Sequence, residues 1–115
     1  MKIEQTDQTP KITFETLDVL KIEGNSYSVD PRNLYNKVIE RIQEYKDEIK
    51  MLEVTIDLDV FNTITAKKLL DIFKSLEGSN TKIIWVYAGD DEDIKMAGHD
   101  YESMIKLPFE FKEKQ

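Results

Sequence analysis

From residue 52 to residue 60 every second residue is apolar: Leu52, Val54, Ile56, Leu58 and Val60 alternate with Glu53, Thr55, Asp57 and Asp59. A period of two marks a strand with one buried and one polar face. Two shorter stretches, 11–15 and 19–23, repeat the alternation through Ile12 and Phe14 and then Leu20 and Ile22. The short join between them predicts a hairpin. Gly24-Asn25-Ser26 reads as a turn after the second stretch. Residues 82–87, KIIWVY, are apolar almost without interruption, which predicts a more central place in the sheet. Leu107-Pro108-Phe109-Glu110-Phe111 predicts a short last strand at an edge, where proline is tolerated.

Between these stretches the period lengthens to that of a helix. Asp30-Pro31 is a start signal, a capping carboxylate followed by proline in the first turn. Leu34, Val38, Ile42, Tyr45 and Ile49 follow at helical spacing, widened by Tyr35 and Ile39, and predict a first helix from about Pro31 to Asp47. Ala66, Leu69, Leu70, Phe73 and Leu76 mark a second helix that stops near Gly78, a left-handed C-terminal residue. Ile94, Ala97, Tyr101, Met104 and Ile105 mark a third.

The order is strand, strand, helix, strand, helix, strand, helix, strand. Right-handed crossovers make the later strands parallel. A strand covered on both sides would be apolar on both faces, and 52–60 is not, so the helices pack mainly on one face of the sheet. The expectation is a small single-domain α/β sandwich over residues 1–115, with a mixed sheet of about five strands and a loose polar segment at 1–10.

Composition narrows the function classes. The net charge is −7 and the pI about 4.7. That disfavours nucleic acid, which needs a basic face, and an anionic membrane surface. The absence of cysteine removes disulfides, thiolate catalysis and cysteine metal sites, and fits the cytoplasm. The opening MKIEQTDQTPK has no apolar run and does not read as a signal peptide, and no stretch approaches a membrane span.

Candidate chemistry is sparse. No glycine-rich phosphate loop, nucleophile elbow or triad is present, and no cofactor is indicated. Asp90-Asp91-Glu92-Asp93 lacks EF-hand spacing and suits a helix N-terminus better than a metal. Asp57 and Asp59 close a strand, as the phosphorylated aspartate of a receiver domain does, but no acidic pair follows the first strands. His99, beside Gly98 and Asp100, falls off the apolar stripe and reads as a solvated residue. Trp85 and Tyr87 share a strand face and read as sheet packing or an aromatic binding patch. There remains the join at Phe61-Asn62-Thr63, where Asn62 or Thr63 can cap the second helix. A phosphate on Thr63 would meet the positive end of that helix, with Lys67 one turn on.

At that join the sequence resembles the SiaC family of regulatory phosphoproteins. The likeness runs in order along nearly the whole chain. It takes in Thr9-Pro10, Gly24-Asn25-Ser26-Tyr27, and Phe61-Asn62-Thr63 followed by Lys67, Leu69 and Asp71-Ile72-Phe73. It continues through Trp85 and Tyr87, the acidic run after them, and Leu107-Pro108-Phe109. The resemblance implies a STAS-like fold and partner switching. It implies a threonine, here Thr63, phosphorylated by a dedicated protein kinase and restored by a protein phosphatase, with the unmodified form stimulating a diguanylate cyclase. The sequence departs from the family at Ile64 and Thr65, where small hydroxyl residues are usual, so Thr65 is a second candidate acceptor. It departs again at Ser28-Val29-Asp30, where Pro-Glu-Asn is common. Asn62, Ile64, Lys67 and Lys68 are the residues a partner is expected to touch. The rival expectations are a ligand-binding or enzymatic domain using the open sheet face around Trp85 and Tyr87, and a constitutive interaction module.

Overall fold

The computed structural model describes residues 1–114, the side chain of Arg32 apart. Six strands form one sheet: β1 (Lys2–Ile3), β2 (Lys11–Thr13), β3 (Val19–Ser26), β4 (Leu52–Phe61), β5 (Thr81–Ala88) and β6 (Phe109–Lys114). The helices are α1 (Arg32–Tyr45), α2 (Thr63–Leu76) and α3 (Glu92–Met104), and a 3₁₀ turn over Lys46–Glu48 follows α1. The strands lie side by side in chain order. The first two junctions are antiparallel and the other three parallel. Each parallel crossover steps one strand in the same direction, so right-handed connections place all three helices on one face.

Burial agrees with that geometry. Leu20 and Ile22, Leu52 to Leu58 in alternation, and Ile83 and Trp85 are buried beneath the helices with Val38, Ile42, Leu69, Ile72 and Phe73. The other face carries Lys21, Glu53, Thr55, Asp57, Lys112 and Lys114, with Ile84 and Val86 among them. The expected α/β class with one-sided helices is what forms.

Four details differ from the pattern reading. Residues 1–10 are not wholly loose, because β1 pairs with β2 and makes a sixth strand. Gly24-Asn25-Ser26 is no chain reversal but the end of β3. Gly24 has a φ of +112°, and the pairing slips there so that Gly24 faces Leu58 while Asn25 faces Val60. The extra residue on β4 is Asp59, a one-residue bulge. Pro31, not Asp30, holds the cap position of α1, and its ring supplies no cap bond. Finally β5 is not central but next to the β6 edge. Its second apolar face is explained by charges that close over it. Lys82 pairs with Glu110 at 3.1 Å, and Lys114 reaches across β5 to Asp57 and Asp59 at 2.5 and 2.6 Å. Partial burial works against the Lys114 charge, but the bonds and charges of the two aspartates outweigh it and raise its pKa.

Candidate functional site

The Asp59 bulge shifts the phase of β4 by one residue. Phe61 thereby turns onto the covered face, where its ring meets Trp85 edge-on at 6.2 Å. Asn62 leaves the strand in extended conformation and caps α2: its Oδ1 accepts from the Thr65 N–H at 2.9 Å. Its Nδ2 donates to the Ser28 carbonyl at 2.9 Å, tying the 27–30 loop to the same join. Of the two capping candidates, Asn62 does the capping. That leaves Thr63 as the first helical residue, exposed, at an end where the Thr63 and Ile64 N–H groups have no intrahelical acceptor.

Thr65 has the opposite fate. It is fully buried, and its hydroxyl lies 3.0 Å from the Ser26 carbonyl and 2.7 Å from Ser26 Oγ, which lies 2.7 Å from the Tyr35 hydroxyl. The carbonyl carries no proton, so it must accept from Thr65. Ser26 Oγ then donates to Thr65, and Tyr35 to Ser26. This directed chain of three hydroxyls joins β3, α1 and the first turn of α2. With every member satisfied it stiffens the join. A phosphate on Thr65 would require breaking it.

Burial drives the Tyr35 hydroxyl pKa up to about 12, against the pull of the bonds to Ser26 and Thr65. Tyr101, whose hydroxyl donates to the Ala66 carbonyl at 2.7 Å, is raised further, by burial first and then by the neighbouring Tyr35 and Asp100. Phenols that hold their protons more tightly when folded stabilise the fold fully below the unfolded value near 10, and lose that contribution as pH rises past it. For Tyr35 the loss falls between about pH 10 and pH 12 and amounts to roughly 2–3 kcal/mol. Urea midpoints measured from pH 8 to pH 12 should therefore fall steeply above pH 10, and Tyr35→Phe should flatten that fall. An unchanged slope in the variant would assign the alkaline loss elsewhere.

Thr63 stands at one end of a groove between α2 and α3. The groove has a volume of about 370 Å³ and is lined by Phe61, Thr63, Ala66, Lys67 and Leu70 on one side and Ala97, Asp100, Tyr101 and Met104 on the other. Of the residues expected to meet a partner, Lys67 lines this groove and Ile64 is exposed beside it (41%). Lys68 turns away, its Nζ donating to Asn36 on α1 at 2.9 Å. The α3 side of the groove was not legible as a site. Its residues read as a core stripe, yet Met104 is half exposed.

The remaining candidates resolve structurally. Asp91 caps α3, accepting from the Ile94 N–H at 3.1 Å, and Glu92 and Asp93 fill its first turn. His99 is exposed, stacked on Phe111 at 4.0 Å and 3.1 Å from Glu102. Trp85 and Tyr87 are not on the open face. Trp85 is buried under α3 with its Nε1 donating to the Ile94 carbonyl at 2.8 Å, and Tyr87 packs against the core beside it. The open face has a broad depression of about 620 Å³, lined by Asp57, Glu110 and Lys114 of the ion pairs described above. Among the described residues no group of His, Asp and Glu is arranged to hold a metal, and no helix is long and apolar enough to cross a membrane.

The same fold occurs in solved structures. A chain in the crystal structure of diguanylate cyclase SiaD in complex with its activator SiaC, from Pseudomonas aeruginosa, superimposes with a TM-score of 0.91 at 23% identity, over 99% of each chain. Apo-SiaC from the same organism superimposes with a TM-score of 0.86 at 23% identity, over 97% of each. No curated protein matches the sequence. The model of the SiaC family regulatory phosphoproteins matches residues 3–114. With the match spanning almost every residue from β1 to β6, the chain belongs to the SiaC family of regulatory phosphoproteins.

Proposed function

We propose that this domain is a non-enzymatic switch in which a protein kinase phosphorylates Thr63, a protein phosphatase removes the phosphate, and only the unmodified form binds its effector. The effector is a diguanylate cyclase, so the domain works in the cytoplasm in cyclic di-GMP signalling. The observation that carries this reading is the contrast between two hydroxyls two residues apart. Thr63 is exposed at the open end of α2, and Thr65 is buried in the hydroxyl chain. The likeness to an activator of a diguanylate cyclase supports the choice of effector.

Chemistry at Thr63 suits a reversible mark. The phosphate would add about −1.5 to −2 charges beside free N–H groups at the positive end of a helix. It would be accommodated without unfolding the domain, while changing the surface that a partner meets. The ligand-binding alternative loses its residues, since Trp85 and Tyr87 lie under the helices.

Peptide mass spectrometry on the protein purified from its own host, with phosphate preserved, tests the assignment. One phosphate on Thr63 and none on Thr65 is the expected map. An unmodified Thr63 across several growth conditions would leave a constitutive interaction module, and a phosphate on Thr65 would overturn the choice of acceptor.

A further inference from the structure

Thr63 and Thr65 offer the same hydroxyl chemistry, and each is followed by an apolar residue, Ile64 or Ala66. An enzyme that reaches one has the other close at hand. What separates them is the way the first turn of α2 is held shut. To bring the Thr65 hydroxyl to the surface, the segment 62–65 must lift from β3. Beyond that segment the helix is held independently. The Tyr101 hydroxyl donates to the Ala66 carbonyl at 2.7 Å, Lys68 Nζ donates to Asn36 at 2.9 Å, and Leu69 is fully buried.

Within the segment little apolar surface is buried. Asn62 is half-buried, Thr63 and Ile64 are exposed, and only Thr65 is enclosed. A segment of this kind owes its closure to hydrogen bonds rather than to packing. Asn62 Nδ2 donates to the Ser28 carbonyl at 2.9 Å, and Thr65 Oγ1 to the Ser26 carbonyl at 3.0 Å. The Ser26 hydroxyl adds the bond to Thr65 at 2.7 Å. Tyr35, donating to Ser26 Oγ from α1 at 2.7 Å, fixes the rotation of that hydroxyl so that its proton points at Thr65.

Resting on the phosphoswitch reading, we infer that Ser26 and Tyr35 are specificity-determining residues of the mark: their hydroxyl chain holds the first turn of α2 shut over Thr65 and so confines phosphorylation to Thr63. Neither residue touches the transferred group, and both act through Thr65. With the chain broken, Thr65 Oγ1 attacks the γ-phosphorus of ATP on the kinase as Thr63 does. An O–P bond forms, the bond to the ADP leaving group breaks, and the hydroxyl proton passes to a base of the kinase. A dianion at Thr65 has no place in the buried site, so the turn then stays open.

The test is run on variants expressed in the protein's own host, so that the host's kinase is the probe, with peptide mass spectrometry on the purified domain. In the wild type the phosphate lies on Thr63. In Tyr35→Phe, and separately in Ser26→Ala, phosphate on Thr65 should rise at least about tenfold relative to that on Thr63. The two variants break the chain from opposite sides, so the failure of one to fold leaves the other. Hydrogen exchange reads the opening directly. The Thr65 and Ala66 amides both bond to Asn62 in the closed turn. Their exchange should speed up at least about tenfold relative to the amides of Leu69 to Phe73. Gly78→Ala strains the far end of the same helix, where φ is +88°, and should leave both readouts as in wild type. An opened turn with Thr63 marked and Thr65 bare would overturn the selection and leave the switch standing. Unchanged exchange in both variants would overturn it as well. Phosphate on Thr65 in Gly78→Ala would make general instability the cause and have the same consequence. A wild type with neither threonine marked would sink the switch, and the selection with it.

Discussion

Gly98→Val is expected to remove about 4 kcal/mol of stability, a large part of what a domain of this size possesses. Gly98 is buried on α3 directly above the Trp85 ring. A Cβ there would lie 2.6 Å from Trp85 Nε1 and 2.7 Å from Phe111 Cε2, and closer still to Trp85 Cδ1. None of these neighbours can yield cheaply. Trp85 is fixed by its bond to the Ile94 carbonyl and is hemmed in by Phe61 and Tyr101; Phe111 is fixed by its stack on His99. Alanine makes the same first clash, but its better helix propensity returns about 1 kcal/mol, so Gly98→Ala should cost about 2 kcal/mol. Trp85 is the sole tryptophan, so its fluorescence during urea unfolding reads both stability and the displaced ring. Gly78 is a useful control. Its φ is +88° with open space around it, so Gly78→Ala should cost about 1 kcal/mol through backbone strain and leave the fluorescence alone. Gly98 variants as stable as wild type would mean that α3 lifts from the sheet more easily than its packing implies.

Thr63→Asp is expected to lower effector affinity at least about 100-fold while leaving the fold as stable as before or slightly more so. These two effects usually oppose each other, and here they separate for a physical reason. The first turn of α2 carries no acidic residue, so a carboxylate at its first position meets an uncompensated positive end and gains about 0.3–1 kcal/mol. The loss of binding must then come from the surface and not from unfolding. Thr63→Val removes the hydroxyl without adding charge and should bind as wild type. Binding by calorimetry and stability by urea titration, run on all three proteins, distinguish the outcomes. A folded Thr63→Asp variant that still binds would sink the charge-based switch. Equal losses in the valine and aspartate variants would instead make the hydroxyl a direct contact.

Much of this architecture is legible in the residue pattern. The alternation in β4 requires one wet face, and one-sided helices follow from it. The order of elements, together with the crossover rule, sets the parallel half of the sheet. Gly78 marks the end of α2, as its positive φ bears out. Errors arose where long-range contacts outweigh local pattern. KIIWVY reads as a central strand because its outward Ile84 and Val86 look buried. They are shielded by Lys114 and Glu110 of β6 and Asp57 of β4, residues that no local window contains. Gly24 reads as a turn because a glycine with positive φ serves a bulge and a reversal equally well.

The candidate site was legible on one side only. Asn62, Thr63 and Lys67 are close in sequence, so their proximity could be read directly. The partition of Thr63 from Thr65 could not, because it depends on Ser26 and Tyr35 in other elements. The α3 wall of the groove shares its spacing with a core stripe. Small residues at Ala97 and Gly98 were the available signal, one opening the groove and the other admitting Trp85.

Because the strands stand in the sheet in the order in which the chain runs, each new strand finds its neighbour already made. No strand has to be inserted between two others, and no early strand waits for a distant partner. Such a chain can be assembled as it leaves the ribosome, growing by one strand and one covering helix at a time. The hazardous interval is the one after β5 emerges, when an apolar edge of Ile83, Ile84, Trp85 and Val86 stands open to other nascent chains. Arrival of β6 ends it, replacing that edge with a strand studded with lysine and glutamate.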